Sequence, residues 1–432
     1  MSHFNDTFSP VKAIGQKLYS PFSDWISQSF GWVAPSVKWG DAVGPPEKAA
    51  MTLDKSRADN LPKNSPSSVP FLREALGLGC DTASTRYPVW FMRQAGRYLP
   101  EYMAIRSKMD FVELCKSPRD AAEVTLQPLR RFDLDAAIIF SDILVPCMAL
   151  GQKLTFGKGH GPQLSPAVIS REIFSALRGA ESASELGYVG EALALTRATL
   201  SPEKALIGFA GAPFTVATYM VEGGSSKEFT ATKSMLFREP VLFGDLLKRL
   251  RDVTVDYLLM QARAGADALM LFDTWAGNLT PQDYRCHVWP VTSDLLARVR
   301  EAAGVPVIYF SGQGSDRILE LGAFSGSRPN FDVLSVDWRV RISHAARLVN
   351  EAGLKVSLQG NLDPQVFLAP ESLVRERVRE ILLDVQAARK QGLIRGHIFN
   401  VGHGLLPHTP PEAVAWAIDE VRRFEREIHH CV

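Results

Sequence analysis

From residue 71 onward the chain repeats one unit, a short apolar run followed by an amphipathic helical stretch. Eight such runs are present: 88–92, 136–140, 205–210, 266–272, 305–310, 333–337, 356–359 and 397–401. Near-continuous apolarity over so few residues suits parallel strands buried on both faces. Between them, Leu242, Leu246, Leu247, Leu250 and Val253 recur at helical spacing and predict a helix over 241–264. Leu373, Val374, Val378, Ile381, Leu382 and Val385 predict another over 371–391. Eight strands alternating with helices specify an α/β fold, a single (β/α)8 barrel spanning residues 71–432.

Chemistry-bearing groups follow almost every run. Arg93 follows the first run, Ser141-Asp142 the second, Asp273-Thr274 the fourth and Ser311-Gly312-Gln313 the fifth. Asp337 closes the sixth, Gln359 and Asn361 the seventh, and His403 comes after the eighth. Barrel active sites are assembled at that C-terminal face from several strand ends. The net charge of +1 provides no global field to draw in nucleic acid or a membrane surface. Any affinity for a polyanion must therefore come from a local arginine cluster. Cys80, Cys115, Cys147, Cys286 and Cys431 are scattered without a Cys-x-x-Cys pair, which predicts reduced thiols and a cytoplasmic setting. No apolar run approaches the roughly 18 residues of a membrane span.

Residues 1–70 stand apart as an N-terminal extension rich in Ser, Pro and Lys, expected to be partly disordered around 44–68. A mitochondrial presequence is Arg-rich and acid-poor, yet residues 1–50 hold no Arg and include Asp6, Asp24, Asp41 and Glu47. Met51 offers an alternative start.

The stretch 87–102, Tyr-Pro-Val-Trp-Phe-Met-Arg-Gln-Ala-Gly-Arg-Tyr-Leu-Pro-Glu-Tyr, runs from apolar core straight into Arg93, Gln94 and Arg97. Taken alone, Arg93 and Arg97 read equally as surface charges on the following helix. Guanidinium forks also match carboxylates in bidentate geometry. The stretch resembles the signature of the uroporphyrinogen decarboxylase family, and three further segments extend that resemblance over roughly 71–428. They are Phe140-Ser141-Asp142-Ile143-Leu144, the run Gly211–Gly224 around Tyr219, and Asn400-Val401-Gly402-His403-Gly404.

The resemblance implies a role for each matched position. Asp142, otherwise readable as a helix cap or the partner of a core Arg, would hold the pyrrole N–H groups and stabilise a cationic ring. Arg93 would bind acid groups and assist proton delivery; since a guanidinium is a weak acid, with a pKa above about 12, it is equally a positioner of a carboxylate or water. Arg97, Gln94, Tyr219, Thr274 and His403 would orient substrate carboxylates. The family commonly carries Ser at the position of Thr274. Tyr219 and His403 on their own suit core roles as well, and His397 is expected near the barrel's other end.

The activity so implied is removal of the four acetate carboxyls of uroporphyrinogen III, giving coproporphyrinogen III, with no cofactor and no metal. A homodimer with facing clefts is implied too, with no nucleic-acid or membrane partner. Two alternatives stay open: a corrinoid- or thiol-directed methyltransferase of the same barrel superfamily, and a non-catalytic tetrapyrrole-binding protein. The methyltransferase needs zinc on His and Cys, for which the sequence offers only the pair Cys286-His287. No dinucleotide fingerprint or P-loop is found, and Gly157-Lys158-Gly159-His160-Gly161 reads as a mobile loop.

Overall fold

The computed structural model describes residues 68–78, 86–157, 161–312 and 329–430. The extension up to residue 67, with Met51, lies outside the described residues, as do Cys80, residues 158–160, Gln313 and Cys431.

Seven strands form one parallel sheet in sequence order. They are β1 (Ala136–Ile138), β4 (Ala205–Gly211), β5 (Ala268–Asp273), β6 (Val307–Ser311), β7 (Val333–Ser335), β8 (Ser357–Leu362) and β9 (His397–Val401). Between β1 and β4 a two-stranded antiparallel hairpin, β2 (Lys153–Phe156) with β3 (Pro162–Ser165), stands outside the sheet. The segment read as a mobile loop connects these two strands. Every residue of β4, β6, β8 and β9 is buried, as expected of strands covered on both faces.

The first expected strand, 88–92, is the exception. It makes a single parallel bridge, Val89 with Phe399, and does not continue as a strand. The reason is visible in its amides. Val89 N donates to Asp135 Oδ2 at 2.7 Å, Phe91 N to Gln94 Oε1 at 3.1 Å and Met92 N to Asn400 Oδ1 at 3.1 Å. Side chains take the donors that a ladder would have used. The segment nevertheless fills the gap between the two edge strands. Phe399 N donates to Pro88 O at 2.8 Å on one side, and Asp135 N to Val89 O at 2.9 Å on the other. The ring of eight thus closes with Arg93 brought to the C-terminal face.

The helices follow their apolar periodicity. Pro240–Arg263 starts on a proline whose missing N–H has no intrahelical partner to lose. Its Leu242, Leu246, Leu247, Leu250 and Val253 are buried, each contributing about 1.5–3 kcal/mol of transfer free energy. Glu371–Lys390 buries Val374, Val378, Leu382 and Val385 in the same way. The last helix, Pro411–His430, is fastened to the barrel floor by ion pairs. Arg422 donates to Asp135 Oδ2 at 2.6 Å, Asp133 Oδ2 at 2.9 Å and Glu425 Oε1 at 3.0 Å. Arg86 Nε takes the other oxygen of Asp135 at 2.6 Å. Asp135 and Arg422 side chains are only 4% and 10% exposed, so neither charge is well served by water.

Removing one member of such a buried cluster strands its partners. Arg422→Met should lower unfolding free energy by about 3–5 kcal/mol, measured by urea denaturation. A loss below about 1 kcal/mol, the worth of a surface pair, would contradict this reading of the floor.

Candidate active site

Arg93 occupies the first position past the closing segment, with φ at 61°, a left-handed conformation rare for a residue with a side chain. Holding it there costs about 1–3 kcal/mol, and Gln94 supplies the restraint. The buried Gln94 amide accepts from Phe91 N and donates from Nε2 to Ala136 O at 3.0 Å. Gln94 is thus engaged with main chain and clamps the turn that presents both arginines. Arg93 and Arg97 themselves are exposed, and neither makes an ion pair among the described residues. The Arg93 stem lies against Gly404, where any side chain would collide with it.

Asp142 follows β1 and remains half-buried, with Leu144 N donating to its Oδ1 at 2.8 Å. Burial pushes its carboxyl above the usual aspartate value; the Leu144 amide and the charge of Arg93 oppose the shift without cancelling it. Cys115 and Cys147 are buried near enough to feel this carboxylate. Burial holds both thiols in the neutral form.

Tyr219 sits on the helix Pro213–Glu222, its ring 6.3 Å from that of Trp275. Burial raises its phenol, with Asp142 adding to the shift, so the hydroxyl stays protonated as a donor. One turn earlier, Thr215 Oγ1 donates to Asp273 Oδ1 at 2.8 Å and accepts from Trp275 N at 3.2 Å. That bridge ties the helix carrying Tyr219 to the end of β5, where half-buried Thr274 follows Asp273. Asp273 Oδ2 also accepts from Tyr284 Oη at 2.6 Å and Tyr309 Oη at 3.2 Å. The hydroxyl triplet that makes this buried carboxylate tolerable comes from positions 215, 284 and 309, and no local sequence pattern announces it.

His403 Nδ1 accepts from Gly404 N at 2.8 Å, which leaves the ring proton on Nε2. Burial, then the charges of Arg93 and Arg339, drive its pKa down to about 4. The ring is therefore a neutral donor at physiological pH. Its backbone is drawn close by Gly402, where a side chain would strike the main chain of Asp337 and Trp338. The charge of Arg93 bears on Asp142, Tyr219 and His403 alike, and Tyr219 also feels Asp142; Thr274 lies between Asp273 and Trp275, the two residues that Thr215 bridges. His397, buried at the start of β9, is occupied elsewhere: its amide donates to Glu74 Oε2 and its Nε2 meets Gly360 O at 3.0 Å.

A family model described as Uroporphyrinogen decarboxylase (URO-D) matches residues 71–424. The chain belongs to the uroporphyrinogen decarboxylase family. It is 44% identical over 346 residues to a uroporphyrinogen decarboxylase of Desulfotalea psychrophila, covering 80% of this chain and 97% of that one. It is 45% identical over 363 residues to that of Nitrosococcus oceani, covering 83% and 97%. Among solved structures it resembles a methyltransferase from Methanosarcina mazei with a TM-score of 0.65 at 17% identity, over 82% of this chain and 98% of that one. This second likeness is one of fold. Cys286, exposed within the π-helical turn Tyr284–Val288, has no metal cluster around it: among the described residues no three His, Cys, Asp or Glu side chains gather as a metal site would require.

The directions in which burial and neighbouring charges shift these groups give a pH profile with a definite sign. With an ionised Asp142 as the working carboxylate, kcat/KM is expected to fall as pH drops through its pKa, and burial places that break above the ordinary value of about 3.9. His403, neutral above a pKa of about 4, adds no break near neutrality. A break attributable to an imidazole between about pH 6 and 7 would contradict the environment described for His403.

Proposed function

We propose that this chain removes the four acetate carboxyls of uroporphyrinogen III to give coproporphyrinogen III, with Asp142 as the central catalytic group. Each step releases CO2 and takes up one proton, so each acetate becomes a methyl. Loss of CO2 requires an electron sink. Protonation of the adjacent ring carbon provides it, by making the pyrrole a cationic, iminium-like ring. A carboxylate ~4 Å from that charge contributes about 4 kcal/mol at an effective dielectric near 20. Stabilisation of this kind acts as charge develops, which raises kcat. The pyrrole is its own sink, so the chemistry calls on no cofactor or metal.

The observation that carries this reading is the separation of charges at the barrel mouth. Arg93 and Arg97 stand exposed and without ion pairs among the described residues, while Asp142 is half-buried. A polycarboxylate whose acids lie on its rim and whose N–H groups lie at its centre matches that distribution. In this scheme Arg93 and Arg97 bind rim carboxylates, and Tyr219, Thr274 and His403 donate to them. Arg93 also positions the acid or water that delivers the proton. Gln94, with its amide engaged by main chain, contributes by fixing the turn. The same reading takes the protein to be a cytoplasmic homodimer with facing clefts, with neither nucleic acid nor membrane as partner. In support, no described helix is long and apolar enough to cross a membrane, and Cys115, Cys147 and Cys286 are free thiols.

Anaerobic incubation with uroporphyrinogen III and a chelator, then oxidation and separation of the porphyrins, tests the activity. Products with seven, six, five and four carboxyls are expected. Intact eight-carboxyl material from folded protein would leave a tetrapyrrole binder or a methyltransferase.

A further inference from the structure

Arg339 lies on the turn after β7, and the fold braces it from three directions. Asp337 Oδ1 accepts from the Arg339 amide at 2.8 Å, and Asp337 Oδ2 from its Nη1 at 3.2 Å. The guanidinium is stacked over the Trp338 ring, 4.2 Å from the centroid. Asn361 Nδ2 straddles the turn, donating to Asp337 O at 2.7 Å and Val340 O at 2.6 Å. An ordinary surface arginine has no such scaffold, and a preorganised fork loses less entropy on binding than a free one.

The brace also sets where the charge sits. Trp338 meets the His403 ring edge-on at 6.2 Å, and Gly402 lets the two backbones touch. Arg339 and Arg93 both bear on the same imidazole. The Arg339 side chain is 49% exposed, against 2% for Asp337. Among the described residues its Nε and Nη2 have no partner, so most of the fork's donors remain available.

We propose that Arg339 is a third guanidinium of the substrate site, binding one carboxylate of the tetrapyrrole at the rim beside His403. This rests on the decarboxylase reading above and adds a specificity-determining residue to it. Ion pairing with Asp337 alone would not need the Trp338 stack or the Asn361 clamp. Together they hold the fork over the Trp338 ring, which itself meets the His403 ring at 6.2 Å.

The test is steady-state turnover of uroporphyrinogen III, under anaerobic conditions, by the full-length wild type, Arg339→Gln and Arg339→Lys, with melting temperatures alongside. Loss of one charge-assisted bond should raise KM about tenfold in Arg339→Gln, with kcat within about twofold. The KM of that variant should also depend less steeply on salt than that of the wild type. Arg339→Lys keeps a cation for Asp337 but lacks the planar fork, and KM should rise about threefold. An Arg339→Gln enzyme with wild-type KM and salt dependence would overturn the proposal. So would a drop in kcat and melting temperature with KM unmoved, which is the mark of a structural role. If Arg339→Gln does not fold, Arg339→Lys decides, and an unchanged KM in it overturns the proposal. Wild-type protein that leaves uroporphyrinogen III intact would instead sink the functional reading, an outcome the same assay separates from the others.

Discussion

The barrel closes on a segment that is barely a strand, and the site depends on how that closure is made. Residues 88–92 would pair as a regular strand if Asp135, Gln94 and Asn400 did not take their amides. Because they do, the chain leaves the sheet early and turns sharply through Arg93 in a left-handed conformation. The side chains that interrupt the ladder also tie the segment to both edge strands, so the ring stays closed while its last residue is free to carry charge. Asp135 serves both ends of this arrangement. It accepts from Val89 and, on the floor of the barrel, from Arg86 and Arg422. One buried carboxylate thus holds both the closing segment and the floor of the barrel.

Above that floor the electrostatics are divided by depth. Arg93 and Arg97 are exposed without ion pairs among the described residues, whereas Asp142 is half-buried and accepts from Leu144 N. A carboxylate in such surroundings is held by one amide, Leu144 N, and has most of its accepting capacity left over. Tyr219 and His403 are kept in donor form by burial, one as a phenol and the other as a neutral imidazole. In the proposed function such a mouth donates to anions around its edge and accepts from N–H groups within. Its preorganisation lies in interactions between protein groups, such as the Thr215 bridge between Asp273 and Trp275, so little reorganisation is needed when charge develops.

Much of this was legible in the sequence. The eighth run, 397–401, coincides with β9, and the helix expected over 241–264 runs from Pro240 to Arg263. Apolar period alone carries that information. It could not show the failure of the first strand, which is decided by acceptors up to 308 residues away. The β2–β3 hairpin escaped notice because its strands are short and partly exposed, without an apolar run. Gln94 looked like a ligand for its place in the signature, yet its amide is engaged by Phe91 and Ala136. Asp337 was visible as a strand-end acid, and the Asp-Trp-Arg triplet that follows was the available signal for Arg339. What no pattern carried was the packing of Gly402 against that triplet, which joins the ends of β7 and β9, the strands on either side of β8.

In the proposed mechanism the negative charge of Asp142 stabilises a cation formed during decarboxylation. Asp142→Asn preserves shape and removes that charge, so the most direct measurement is its single-turnover rate on uroporphyrinogen III. The account predicts a fall of about a thousandfold, corresponding to the ~4 kcal/mol of lost stabilisation, in protein that still melts as the wild type does. A rate within about tenfold of the wild type, or under about 1.4 kcal/mol, would contradict it.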